Sequence, residues 1–274
     1  MTDTAKRLVH LRGLPTDSHS SYLRGAAAAP GFIRKALASD HSNLASERGL
    51  EIGREIDLVD CGDVPLNEDD QDAAGIIRAI TESLDVGAMP LSLGGDHSVT
   101  FPIVEAIANR LGPVQILHFD AHPDLYDDFD GDPRSHASPF ARIMERGFAT
   151  KLVQVGIRTM NAHQRAQVAR FGVESVEMRT VESWRMPQFA GPLYVSIDLD
   201  AFDPAFAPGV SHHEPGGLSP RQVINWVLAL DAPLVGADVV ELNPSRDQNG
   251  VTAILAAKLV KELAAASLFT AVGA

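Results

Sequence analysis

The feature that most constrains this chain is an alternation. Short apolar runs rich in β-branched residues are each followed by a longer stretch with helical periodicity. Residues 56–59, 89–93, 114–119, 152–157, 193–197 and 234–240 read as strands, and 31–39, 69–85, 99–111, 138–147, 161–171, 219–230 and 250–267 as helices. Strands joined by helical crossovers pair in parallel and are covered on both faces. The expected fold class is therefore α/β: a single-domain, three-layer αβα arrangement with a mostly parallel central sheet, spanning residues 1–274. No repeat, low-complexity tract or Ser/Gly-rich linker divides the chain. In folds of this kind ligands bind just beyond the carboxyl ends of the strands, and the most polar segments fall there.

Three such segments follow apolar runs: Gly94-Gly95-Asp96-His97-Ser98, then His118-Phe119-Asp120-Ala121-His122-Pro123-Asp124, then Ser196-Ile197-Asp198-Leu199-Asp200-Ala201-Phe202-Asp203-Pro204. Asp120, His122 and Asp124 recur every two residues, as do Asp198 and Asp200. In extended backbone alternate side chains share a face, so each segment aims its carboxylates and imidazole at one point. Converging carboxylates repel one another unless a cation intervenes. Asp and His donors without cysteine suit a hard-to-borderline divalent ion such as manganese. Taken singly, each motif has a plainer reading: a solvated polar loop for Asp-x-His-x-Asp, an acidic strand end for Asp-x-Asp, a hydrogen-bonded structural histidine for His97. The three together, all at strand ends of one chain, are far more specific.

Charge and cysteine usage narrow the class. The formal net charge of −13 lacks the basic face that nucleic acid requires. No apolar run is long enough to cross a membrane, and the opening residues lack the apolar core of a secretory signal. The single cysteine, Cys61, excludes an internal disulfide. The expectation is a cytoplasmic protein acting on a small molecule, with neither nucleic acid nor membrane as partner.

At this point the chain resembles the ureohydrolases, the family of arginase and agmatinase. GGDHS, DAHPD and SIDLDAFDP carry the resemblance, supported by RSHASPFARIME, APGVSHHEPGGLS and VVELNPSRD; these look most like arginases of the plant type. The resemblance implies two Mn2+ per subunit. His97, Asp120, Asp124 and Asp198 would hold one, and Asp120, His122, Asp198 and Asp200 the other, with Asp120 and Asp198 bridging together with a water or hydroxide. Two ions about 3.5–4 Å apart bring such a water toward ionisation at neutral pH. Glu241 matches the guanidinium-binding glutamate and His136 the proton-shuttling histidine; apart from the resemblance, they read as a salt-bridge partner and a surface-loop histidine. A carboxylate beyond the four that neutralise two divalent ions favours a cationic substrate. Asp96 and Asp203 are expected to orient ligands or loops, and Gly94 and Gly95 to permit a tight turn.

The implied activity is hydrolysis of L-arginine to L-ornithine and urea. The alternatives are agmatine or another guanidino acid as substrate and, more remotely, a two-metal phosphoesterase or a non-catalytic metal-binding protein. The substrate's other end decides between arginine and agmatine, and here the chain departs from the animal and bacterial arginase pattern. Arg134, Asn161 and His212 are the candidate contacts; Arg158 is a second cation for an α-carboxylate or equally a structural residue, since agmatinases also carry arginine in that turn. The resemblance also implies a homo-oligomer, trimer or hexamer.

Overall fold

The structure, a computed structural model, describes residues 6–269. All eight strands join one sheet. They are β1 (Arg7–Gly13), β2 (Ile56–Asp63), β3 (Met89–Leu93), β4 (Val114–Phe119), β5 (Ala149–Ile157), β6 (Glu174–Glu177), β7 (Leu193–Asp198) and β8 (Leu234–Val240). Their order across the sheet is β2-β1-β3-β8-β7-β4-β5-β6, and every pairing is parallel. The step from β3 to β4 skips two positions, which β7 and β8 later fill. This brings the three polar segments together at one edge.

Seven helices cover the sheet: α1 (Ala29–Leu37), α2 (Asp72–Asp85), α3 (Thr100–Leu111), α4 (Pro139–Glu145), α5 (Ala162–Phe171), α6 (Pro220–Leu228) and α7 (Val251–Phe269). One face carries α1, α6 and α7, whose Ile33, Val223, Val227, Leu259 and Leu263 share a core with the sheet. The other carries α2, α3 and α4, through Ile76, Ile80, Ile103, Ile107 and Phe140. α7 is apolar nearly all round because it lies between α1, α6 and the sheet. α6 begins with a reciprocal cap: Ser219 accepts from the N–H of Gln222, whose side chain accepts from the N–H of Ser219.

The α/β expectation and its helices hold to within a few residues at each end. Two strands were not expected. β1, RLVHLRG, buries alternate residues but is flanked and interrupted by arginines, which masks its apolar period. β6 is four residues long with Glu at both ends, and forms only as the sheet edge against β5. β2 also runs past residue 59 through Asp60-Cys61-Gly62-Asp63, because pairing with β1 continues there.

Candidate metal centre and substrate cavity

Each polar segment leaves its strand where the fold needs a sharp change of direction. After β3, the Asp96 N–H donates to the Thr16 carbonyl at 3.0 Å. A Cβ on Gly95 would lie 1.7 Å from that oxygen, so glycine is required by close approach of two backbones, not by a left-handed conformation. Asp96 then caps the turn by accepting from the Ser98 N–H at 3.1 Å, and it accepts from the His19 N–H at 3.1 Å. After β4 and β7, Asp120 and Asp198 turn back on their own loops and Asp200 ties the second loop to the first. Asp120 accepts from the His122 N–H at 2.6 Å, Asp198 from the Asp200 N–H at 2.7 Å and Asp200 from the Ala121 N–H at 3.1 Å. These bonds fix one oxygen of each carboxylate and direct the other inward. Asp124 and Glu241 have φ of 51° and 65°, a left-handed backbone that costs a non-glycine residue about 1–3 kcal/mol.

The result is a tight cluster. His97 Nδ1 lies 3.2 Å from Asp120, 3.1 Å from Asp124 and 3.1 Å from Asp198. His122 Nδ1 lies 3.3 Å from Asp120 and 3.1 Å from Asp200. Asp120 thus faces both histidines, and every one of these groups except His122 is buried. Burial opposes charge on His97, but the carboxylates of Asp120, Asp124 and Asp198 outweigh it and hold the ring well above its ordinary range. Burial, then Asp200 and Asp120, push Asp198 well above the usual carboxylate range. Such opposed pressures mark a cluster of anions short of positive charge. His97 Nδ1 is buried with no hydrogen-bond partner despite three carboxylate oxygens around it. An orphaned imidazole nitrogen amid converging carboxylates fits a divalent cation.

His118, on the same face of β4, approaches Asp120 at 2.8 Å. The Gln154 amide NH2 points at its Nδ1 from 3.1 Å and is oriented by donating to the Pro123 carbonyl at 2.6 Å. Nδ1 therefore accepts and Nε2 donates to Asp120. Both nitrogens are committed, so His118 steadies a carboxylate and has no lone pair for an ion.

A cavity of about 260 Å³ opens onto the cluster, lined at its inner end by His122, Asp124, Asp198, Asp200, His136 and Glu241. Glu241 accepts from the His97 N–H at 2.9 Å and from His136 Nδ1 at 2.8 Å. Burial pulls His136 down, but the Glu241 carboxylate overrides it and raises the ring to about 9. The Ser21 N–H, 3.1 Å from Nε2, works against a proton there. Ser21 belongs to the loop after β1 and had no signal in the sequence pattern.

At the outer end the cavity meets Tyr126, Phe129, Thr159, Asn161 and Gln164, while the His212 ring packs 5.4 Å from His136 and 5.8 Å from His122. Asn161 caps α5 by accepting from the Gln164 N–H at 2.9 Å and donates to the Tyr126 hydroxyl at 2.6 Å. His212 keeps a buried Nε2 without a partner. The two arginines are elsewhere. Arg134 pairs with Asp70 at the surface at 2.7 Å and is absent from this lining. Arg158 donates to the carbonyls of Asp200 and Glu214 at 2.6 and 2.8 Å, tying two loops together. Asp203 acts likewise, accepting from the N–H groups of Ala205 and Gly216.

The arginase family pattern matches residues 7–266. The chain belongs to the arginase family. Among the relatives of this arginase-family chain, the mitochondrial arginase 1 of Arabidopsis thaliana is 50% identical, over 95% of this chain and 81% of its own. An agmatinase of Bacillus anthracis is 31% identical over 93% and 90%. The solved arginase of Medicago truncatula superposes with a TM-score of 0.90 at 46% identity, covering 95% of this chain and 87% of that one. The expectation of a cytoplasmic location is overturned: arginases of Arabidopsis thaliana and Medicago truncatula among its relatives are named mitochondrial or chloroplastic/mitochondrial. A lone cysteine excludes an internal disulfide but does not tell one reducing compartment from another. No helix among the described residues is long and apolar enough to cross a membrane.

Proposed function

We propose that the chain hydrolyses the guanidinium group of L-arginine to give L-ornithine and urea at a centre of two manganese ions. His97, Asp120, Asp124 and Asp198 would hold one ion, and Asp120, His122, Asp198 and Asp200 the other. When bound, the ions supply Lewis-acid activation of water at neutral pH. Manganese fits a donor set dominated by carboxylate oxygens with imidazole and no thiolate.

The observation that carries the reading is Glu241: a fifth buried carboxylate, at the inner end of the same cavity and bonded to His136. Two divalent charges would neutralise the four aspartates, and Glu241, paired with the His136 ring, is the remaining buried carboxylate able to face a planar guanidinium cation, which stays charged near neutrality. Its strained φ of 65° sets the carboxylate at the cavity floor. His136 holds a proton on Nδ1 beside that carboxylate, which makes it the donor for the departing amine.

The outer end favours arginine over agmatine. Thr159, Asn161 and Gln164 are neutral hydrogen-bonding groups, suited to an α-amino and α-carboxylate pair of zero net charge. A lone ammonium would call for a carboxylate there. We further propose a homo-oligomer, trimer or hexamer, which light scattering would test. The deciding experiment measures urea from arginine, agmatine and guanidinobutyrate with manganese-loaded protein. Arginine is expected to be turned over fastest. Urea from none of them would sink the proposal, and preference for agmatine would reverse its substrate.

A further inference from the structure

Beneath the acidic cluster the sheet carries a transverse row of polar side chains. Ser92 on β3 is in register with Asp238 on β8, Asp238 with Ser196 on β7, Ser196 with His118 on β4, and His118 with Gln154 on β5. Register neighbours in a parallel sheet face the same side, and all five residues are fully buried. Ser92 Oγ and Gln154 Oε1 have no hydrogen-bond partner; the other polar side-chain atoms of the row are bonded, and burial makes the direction of those bonds matter.

The directions can be worked out from donor and acceptor chemistry. Asp238 accepts from the Tyr194 hydroxyl at 2.6 Å and from Thr100 Oγ1 at 2.7 Å through one oxygen, and from Ser196 Oγ at 2.7 Å through the other. No arginine or lysine touches it among the described residues; three hydroxyls answer its charge. Ser196 Oγ also lies 2.9 Å from His97 Nε2. A hydroxyl has one proton. Ser196 gives that proton to Asp238 and must therefore accept from His97, so the ring proton sits on Nε2. Nδ1, facing Asp120, Asp124 and Asp198, is then the nitrogen whose lone pair a bound ion would take. At the row's other end, Gln154 and His118 deliver a proton to Asp120 in the same directed way.

We propose that this row orders the protons of the metal centre, and that Asp238 is a positioning residue which, through Ser196, presents His97 to the ion by its Nδ1 lone pair. The role rests on the reading of His97 as a ligand. It also explains why a carboxylate, not an amide, stands at 238. Asparagine could turn its NH2 toward Ser196, reverse the chain and move the proton to Nδ1.

Manganese titration of the metal-free full chain, followed by the paramagnetic resonance of the free ion, tests this. In Asp238→Asn and Ser196→Ala, binding of at least one of the two ions should weaken by about 10–100-fold. In parallel, ring 15N resonances of wild-type protein loaded with zinc, a diamagnetic substitute, should show His97 protonated on Nε2. No manganese binding by wild-type protein would defeat the ligand reading itself. Wild-type binding with undiminished affinity in both variants would overturn the role of the row. Should a variant not fold, the wild-type spectrum decides: an unprotonated Nε2 on His97 overturns the proposal.

Discussion

The two ends of the cavity are built differently. The inner end takes its groups from the carboxyl ends of β4, β7 and β8, with the His136 loop added and His97 from the end of β3 behind them, and holds them with backbone N–H bonds and close glycine contacts. It carries four carboxylates in its lining, at Asp124, Asp198, Asp200 and Glu241. The outer end takes its groups from loops and the start of α5, and all of them are neutral. Charge at the inner end must be placed to a fraction of an ångström to hold ions and a guanidinium, and only the rigid sheet does that. Selection between substrates that share a guanidinium needs only a few hydrogen bonds, which loops can supply.

That division can be broken at three points. The largest effect belongs to Asp198→Asn, which removes a carboxylate 3.1 Å from His97 Nδ1 and proposed to hold both ions. Urea release should disappear and manganese content should fall; retention of both would show that Asp198 is not a ligand. Next is His136→Asn. Turnover of arginine should fall by about a hundredfold with manganese content unchanged, and metal loss instead would make His136 a ligand. The same variant carries a pH signature. A histidine raised from about 6.5 unfolded to about 9 folded stabilises the native state below pH 6.5, and this contribution is lost as pH rises through 9. The gap in melting temperature between wild type and His136→Asn, measured without metal, should be full at pH 6 and closed by pH 10. A gap that is constant with pH would show that pairing with Glu241 does not raise the pKa of His136. The smallest effect is Asn161→Asp at the outer end. A carboxylate there should raise the agmatine-to-arginine ratio of kcat/KM by roughly tenfold, about 1.4 kcal/mol. An unchanged ratio would place the selecting groups elsewhere in the cavity.

The inner end was legible in the chain because its Asp and His residues stand together at strand ends, although the expected extended alternation does not persist there. β4 ends at Phe119, Asp124 has a φ of 51° and Leu199–Ala201 is a 3-10 turn, so turns and not a strand face make Asp120, His122, Asp124, Asp198 and Asp200 converge. The expected strands sit in the sheet because their apolar runs are continuous, as strands buried on both faces must be. Legibility failed where pairing overrides local pattern. β1 and β6 have weak apolar runs and exist because a neighbouring strand completes their hydrogen bonds. Ser21 reaches His136 across 115 positions, a distance over which no local rule operates. By residue type Arg134 reads as a carboxylate clamp, and Arg158 equally as a clamp or a structural residue. The fold uses one in a surface ion pair and the other to tie backbone carbonyls.

By itself, then, the order of residues determined the parallel α/β architecture, the three strand-end motifs and the acidic character of the centre, since all three follow from periodicity and spacing along one stretch of backbone. Strand order and register were decided only in three dimensions. They set Ser92, Asp238, Ser196, His118 and Gln154 side by side although these lie on five strands scattered from residue 92 to residue 238. The physical reason is that a hydrogen-bond direction belongs to a pair of groups. Which nitrogen of His97 keeps its lone pair is settled by a carboxylate 141 residues away in the chain, and by the one proton on the hydroxyl between them.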